Sequence, residues 1–110
     1  MNHDDQQWYE LKDAARLAAT RSHSPYSHFP VGAAVCDESG KVFSGCNVEN
    51  ASFGLTQCAE RAALTAAVCG GARPGKLRKL VLYTPGDQAH SPCGACRQVM
   101  HELMSPGSQV

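Results

Sequence analysis

Apolar positions in the first twenty residues recur at helical spacing, with Trp8, Leu11, Ala15 and Ala18 on one face and polar residues around them. Asp4 and Asp5 precede this stripe and suit a cap, which predicts a helix from about Gln6 to about Thr20 with a packing role only. Two prolines, two histidines and three serines between Arg21 and Pro30 predict a loop. The pattern then changes. Val31 to Cys36 is a short apolar run suited to a buried strand, Asp37-Glu38-Ser39-Gly40 a turn, and Lys41 to Cys46 the returning strand of a hairpin. Gly32 marks either a close backbone approach at the mouth of a site or a bulge.

Asn47 to Gln57 is polar, small and aperiodic, a loop placed to line a pocket. An alanine-rich helix follows from Cys58 to about Cys69, with Ala62, Ala63, Ala66 and Ala67 allowing close packing and Gly70-Gly71 ending it. Leu77 to Tyr83 reads as a third strand and Thr84 to Ser91 as a loop. Ser91-Pro92 then starts a helix reaching about Met104, which Ser105-Pro106-Gly107 breaks, with no strand expected beyond it.

A chain of 110 residues suits one domain. Ten basic residues balance ten acidic ones without a cationic run, which favours a small neutral substrate over a polynucleotide. The start lacks the charged and apolar regions of an export signal, and no stretch reaches membrane-spanning length, so a cytoplasmic address is expected. That address turns the six cysteines from a disulfide framework toward metal binding.

The chemistry concentrates in Cys58-Ala59-Glu60 and Pro92-Cys93-Gly94-Ala95-Cys96. Three cysteines can hold zinc with one position open, and Glu60 can stand beside that position without being a ligand. Cys93 and Cys96, three apart, share a helix face, whereas Cys58 and Glu60 converge only at a helix start. Helix N-termini favour thiolates. Three thiolates leave a negative centre that hinders ionisation of water, and the two helix dipoles, Arg61 and, less directly, Arg97 offset that charge. Other uses of the residues are a redox Cys-x-x-Cys or a closed zinc site completed by His90 or His101. Cys36, Cys46 and Cys69 read as small core residues.

Longer blocks extend the match. Pro25-Tyr26-Ser27-His28-Phe29, Val31-Gly32-Ala33-Ala34, Gly45 to Gly54, Cys58-Ala59-Glu60-Arg61 and Ser91 to Val99 occur in an order that resembles the small, three-cysteine cytidine deaminases. The resemblance implies an α/β fold, a three-layer α/β/α sandwich around a mixed sheet. It makes Cys58, Cys93 and Cys96 ligands of one Zn²⁺ and Glu60 the proton shuttle. Phe29, Asn47, Glu49, Ala51, Phe53 and Ala59 become substrate-binding positions. Among them Asn47 and Glu49 hydrogen-bond a ribose hydroxyl, and Phe29 packs on the pyrimidine face unless it is plain core. Ala51 to Phe53 matches a segment that reaches a neighbouring subunit in a homotetramer.

The implied reaction is hydrolytic deamination of cytidine and 2′-deoxycytidine in pyrimidine salvage. Alternatives are deamination of a cytosine-nucleoside antibiotic such as blasticidin S, or a zinc-stabilised form without turnover. Neither a nucleic acid nor a membrane is an expected partner. Residues 1–110 are expected to form a single catalytic domain lacking the family's C-terminal strand and helix.

Overall fold

The computed structural model describes residues 3–85 and 100–109. Helix α1 spans His3–Ala19, strands β1 and β2 span Gly32–Asp37 and Val42–Cys46, helix α2 spans Ala59–Cys69, and β3 and β4 span Leu77–Tyr83 and Met104–Gln109. The sheet order is β2-β1-β3-β4. β1 runs antiparallel to both β2 and β3, while β4 is parallel to β3, so the sheet is mixed as expected.

Strand periodicity divides the sheet into two faces. Ala34, Cys36, Val42 and Val81 meet Leu11 and Ala15 of α1, whereas Ala33, Val35 and Leu80 meet Ala63, Leu64 and Ala67 of α2. Helix, sheet and helix therefore form three layers. Burial of each large aliphatic residue, such as Leu11, Leu64 or Leu80, is worth about 1.5–3 kcal/mol. Trp8 is only half-buried, and the Lys79 ammonium stands 5.2 Å from its ring centroid.

Two glycines set the distance between layers. A Cβ on Gly32 would lie 1.9 Å from the Ala15 carbonyl oxygen, and one on Gly45 would lie 2.5 Å from Ala63 N. The close approach expected at Gly32 is therefore made to α1 rather than at the mouth of a site. The hairpin turn is fastened by Asp37 Oδ1, which accepts from the amides of Ser39 at 2.9 Å and Lys41 at 3.0 Å. Gly40, with φ 91°, supplies the positive φ there.

Two expectations need correction. The break placed at Ser105-Pro106-Gly107 is part of β4, which pairs with β3 through Leu77↔Met104 and Lys79↔Gln109. The register shifts between those pairs, so the extra residues are taken up as an irregularity in the ladder. β4 lies at the end of the described sheet, where proline is tolerated. Cys69 is exposed and Cys46 half-buried, leaving Cys36 as the core thiol among the three. Cys69 is the last residue of α2, beyond the face that packs on the sheet. Among the described residues no helix is long and apolar enough to cross a membrane.

Candidate active site

Cys58 is the N-cap residue of α2, with extended backbone angles and a side chain that does not cap the helix. Its sulfur accepts a hydrogen bond from Arg61 Nη2 at 3.3 Å, and the same nitrogen lies 3.3 Å from the Thr56 carbonyl oxygen. The guanidinium thus ties the incoming loop to the sulfur at the helix start. Ala59 is buried at the first helical position. Glu60 follows, 5% exposed, and is the one buried charged side chain among the described residues. Burying a carboxylate is costly without compensation, and a helix N-terminus supplies favourable partial charge.

This donor chemistry fits zinc. The Cys58 sulfur stands at a helix N-terminus beside a guanidinium, and cysteine sulfur is a strong zinc ligand. Cys93 and Cys96 lie outside the described residues, as do Arg97 and the expected start of the last helix. His101 is exposed.

The loops before α2 are locked together by backbone pairing. Val48 and Gln57 exchange hydrogen bonds of 2.9 and 2.8 Å, closing the 48–57 loop just ahead of Cys58. On the other side of Val48, His23 N donates to the Asn47 carbonyl at 3.1 Å and Glu49 N donates to the His23 carbonyl at 2.8 Å. The segment after α1 is thereby laid beside the segment after β2.

Asn47 and Glu49 complete the clasp with their side chains. Asn47 Oδ1 accepts from Val31 N at 2.9 Å and from the Ser22 hydroxyl, and Nδ2 donates to the Phe29 carbonyl at 2.9 Å. Glu49 Oε1 accepts from the amides of Tyr26 at 3.0 Å and Ser27 at 3.1 Å, while Oε2 accepts from the Ser27 hydroxyl. The Ser27 hydroxyl, aided by the two amides, outweighs desolvation and holds the Glu49 carboxyl below the usual carboxylate range. Ser27 Oγ also accepts from Phe29 N at 3.1 Å. Between them His28 adopts φ 55°, an uncommon conformation for a residue with a side chain.

A cavity of about 450 Å³ opens here, lined by Tyr26, Ser27, Glu49, Asn50 and Thr56. That volume is in the range of small-molecule sites. Phe29 is half-buried and Ala51 exposed, and Phe53 begins a short 3-10 turn, Phe53–Leu55. The structure thus groups Phe29, Asn47 and Glu49 through one clasp and Cys58, Ala59, Glu60 and Arg61 at one helix start. Sequence reasoning did not single out Ser22, Ser27 or Thr56 as site residues. The density of serines between Arg21 and Pro30 was the available signal.

Comparison with known proteins shows the family. Residues 5–107 match the family model described as the cytidine and deoxycytidylate deaminase zinc-binding region. The cytidine deaminase of Sporosarcina psychrophila is 47% identical over 96 residues, covering 87% of this chain and 69% of that protein. The cytidine deaminase of Mycobacterium tuberculosis (strain CDC 1551 / Oshkosh) is 44% identical over 98 residues, covering 89% of this chain and 72% of that protein. A crystal structure of cytidine deaminase from Burkholderia pseudomallei superposes with a TM-score of 0.84 at 48% identity, covering 96% of this chain and 80% of that one. The chain belongs to the cytidine and deoxycytidylate deaminase family, whose domain binds zinc.

Proposed function

We propose that this chain catalyses hydrolytic deamination of cytidine and 2′-deoxycytidine to uridine and 2′-deoxyuridine. The observation that carries the reading is Glu60, a buried carboxylate in the first turn of a helix that Cys58 caps. Cys58, Cys93 and Cys96 would hold the zinc. When bound, the metal supplies Lewis-acid charge that brings the ionisation of an attacking water toward neutrality.

The chain's own residues do the rest. Glu60 takes a proton from the water as its oxygen bonds to the ring carbon carrying the amine. It delivers that proton to the ring nitrogen, then takes the proton of the newly added hydroxyl and passes it to the amine, so the C–N bond breaks, the carbonyl forms, ammonia leaves and the carboxylate is regenerated. Arg61, 3.3 Å from Cys58 Sγ, offsets thiolate charge. Phe29 packs on the pyrimidine, Ala59 borders the substrate, and Asn47 with Glu49 binds the sugar. Residues 1–110 act as one catalytic domain.

The protein works in the cytoplasm, in pyrimidine salvage, as a homotetramer. Support for assembly comes from Leu55, 71% exposed in the loop that carries Ala51 and Phe53, since a neighbouring subunit would cover it. The relatives described above are named cytidine deaminases, which does not favour the antibiotic substrate.

Loss of cytidine absorbance, with zinc content determined on the same sample, tests the proposal. Turnover that stops in Glu60→Ala is expected. Bound zinc without turnover in the wild type would select the non-catalytic form.

A further inference from the structure

The protein itself consumes most of the hydrogen-bonding capacity of Asn47. A carboxamide has two donor hydrogens and two acceptor lone pairs. The Ser22 hydroxyl lies 3.2 Å from the Asn47 backbone carbonyl and closer to Oδ1. With its one hydrogen on the nearer Oδ1, it and the Val31 amide occupy both lone pairs of that oxygen, and the Phe29 carbonyl takes one Nδ2 hydrogen. Val31 N–H can only donate and the Phe29 carbonyl can only accept, so these partners fix which end of the amide is oxygen. One donor hydrogen is left, and no acceptor. Glu49 has the complementary inventory. Its carboxylate takes two amides and the Ser27 hydroxyl, and what remains can only accept.

Ser22 stands where α1 gives way to the following loop, its amide donating to the Ala19 carbonyl at 3.2 Å. Its half-buried hydroxyl reaches the Asn47 side chain twenty-five residues on. We propose that Ser22 is a positioning residue for nucleoside recognition. By filling the second acceptor site of Asn47 Oδ1, it confines the carboxamide to donating toward the sugar and leaves Glu49 as the acceptor. The inference rests on the reading of Asn47 as the sugar contact. Accepting two hydrogen bonds at Oδ1 also polarises Nδ2–H and makes it a better donor. Without the Ser22 hydroxyl, Oδ1 is open to water or to the sugar hydroxyl itself, and the single polarity of the contact is lost.

The test compares kcat/KM for cytidine with that for 2′,3′-dideoxycytidine, which lacks the 2′- and 3′-hydroxyls and keeps the 5′-hydroxyl. Ser22→Ala should lower the preference for cytidine by about two- to tenfold, the range for one hydrogen bond, chiefly through KM. Ser22→Thr should restore it. In Ser22→Ala the side-chain amide signal of Asn47 in ¹H–¹⁵N spectra should shift and exchange faster with solvent, and in Ser22→Thr it should return. Equal losses on both nucleosides, or no rescue by threonine, would overturn the inference and leave Ser22 a structural residue.

Asn47→Ala separates the two layers of the argument. If it keeps the preference for cytidine, the sugar-contact reading falls and takes Ser22 with it. If it loses the preference while Ser22→Ala keeps it, only the inference about Ser22 falls. Should Asn47→Ala fail to fold, the wild type decides the first point, because an enzyme without preference between these nucleosides makes no productive contact to the 2′- or 3′-hydroxyl.

Discussion

Gly45→Ala tests whether the packing of α2 on the sheet holds the reactive residues in place. A methyl group at this position of β2 would lie 2.5 Å from Ala63 N, 2.6 Å from Ala62 Cβ and 2.7 Å from Ala62 C. Two of these atoms are helix backbone and cannot turn aside as a side chain would. Restoring an ordinary contact of about 3.4 Å requires helix and strand to separate by about 1 Å, and overpacking of this kind costs about 1–3 kcal/mol. For a domain of this size each kcal/mol lowers Tm by about 4–8 °C, so a drop of about 5–20 °C is expected.

The same displacement reaches the chemistry. α2 carries Cys58 at its cap and Glu60 in its first turn, and a misplacement of about 1 Å costs about a hundredfold in rate. Thermal melting and cytidine turnover would be measured together, with Gly54→Ala as the control for melting, since a Cβ there meets nothing within 4 Å. The control should melt within about 0.5 kcal/mol of the wild type. A Gly45→Ala protein that melts with the control and turns over cytidine at the wild-type rate would refute the reasoning.

Three other outcomes follow from the site. Glu60→Ala should retain zinc while kcat falls by about two to four orders of magnitude, and retained turnover would remove Glu60 from proton transfer. Because the Glu49 carboxyl is held below the usual carboxylate range, its clasp contributes stability fully present above that range and lost as pH falls through the lowered value. The amide signals of Tyr26 and Ser27 should therefore move in an acid titration, and Glu49→Gln should abolish the movement; the same movement in the glutamine variant would rule the clasp out as its cause. Chelation of zinc should stop turnover and lower Tm, with both restored by added zinc, and an unchanged Tm would show that the metal does not support the fold.

Local pattern made much of the scaffold legible. Leu77 to Tyr83 has the composition and bounded length of a strand, and the structure gives it those limits. Cys58 and Glu60 could converge only at a helix start, and Cys58 is the N-cap. What stayed hidden depends on partners distant in sequence. Gly32 announced a close approach, but nothing nearby named Ala15 as its target. Pro106 and Gly107 read as breakers because their tolerance comes from lying at the end of the described sheet, beside a strand some thirty residues earlier. Cys69 reads as core by residue type, yet its exposure is decided by where α2 leaves the sheet.

The clasp shows why the proposed substrate side is harder to read than the proposed metal side. Cys58, Glu60 and Arg61 are brought together within one turn of helix, so spacing alone reports their proximity. Asn47 and Glu49 also lie close in sequence, but their side chains are oriented by Ser22, Ser27, Phe29 and Val31, which belong to the loop before β1. Their chemistry depends on which lone pairs and hydrogens that loop has already taken. An asparagine that can only donate and a glutamate that can only accept differ in kind from the same two residues free in solution, and that difference appears only once every hydrogen bond of the clasp is assigned.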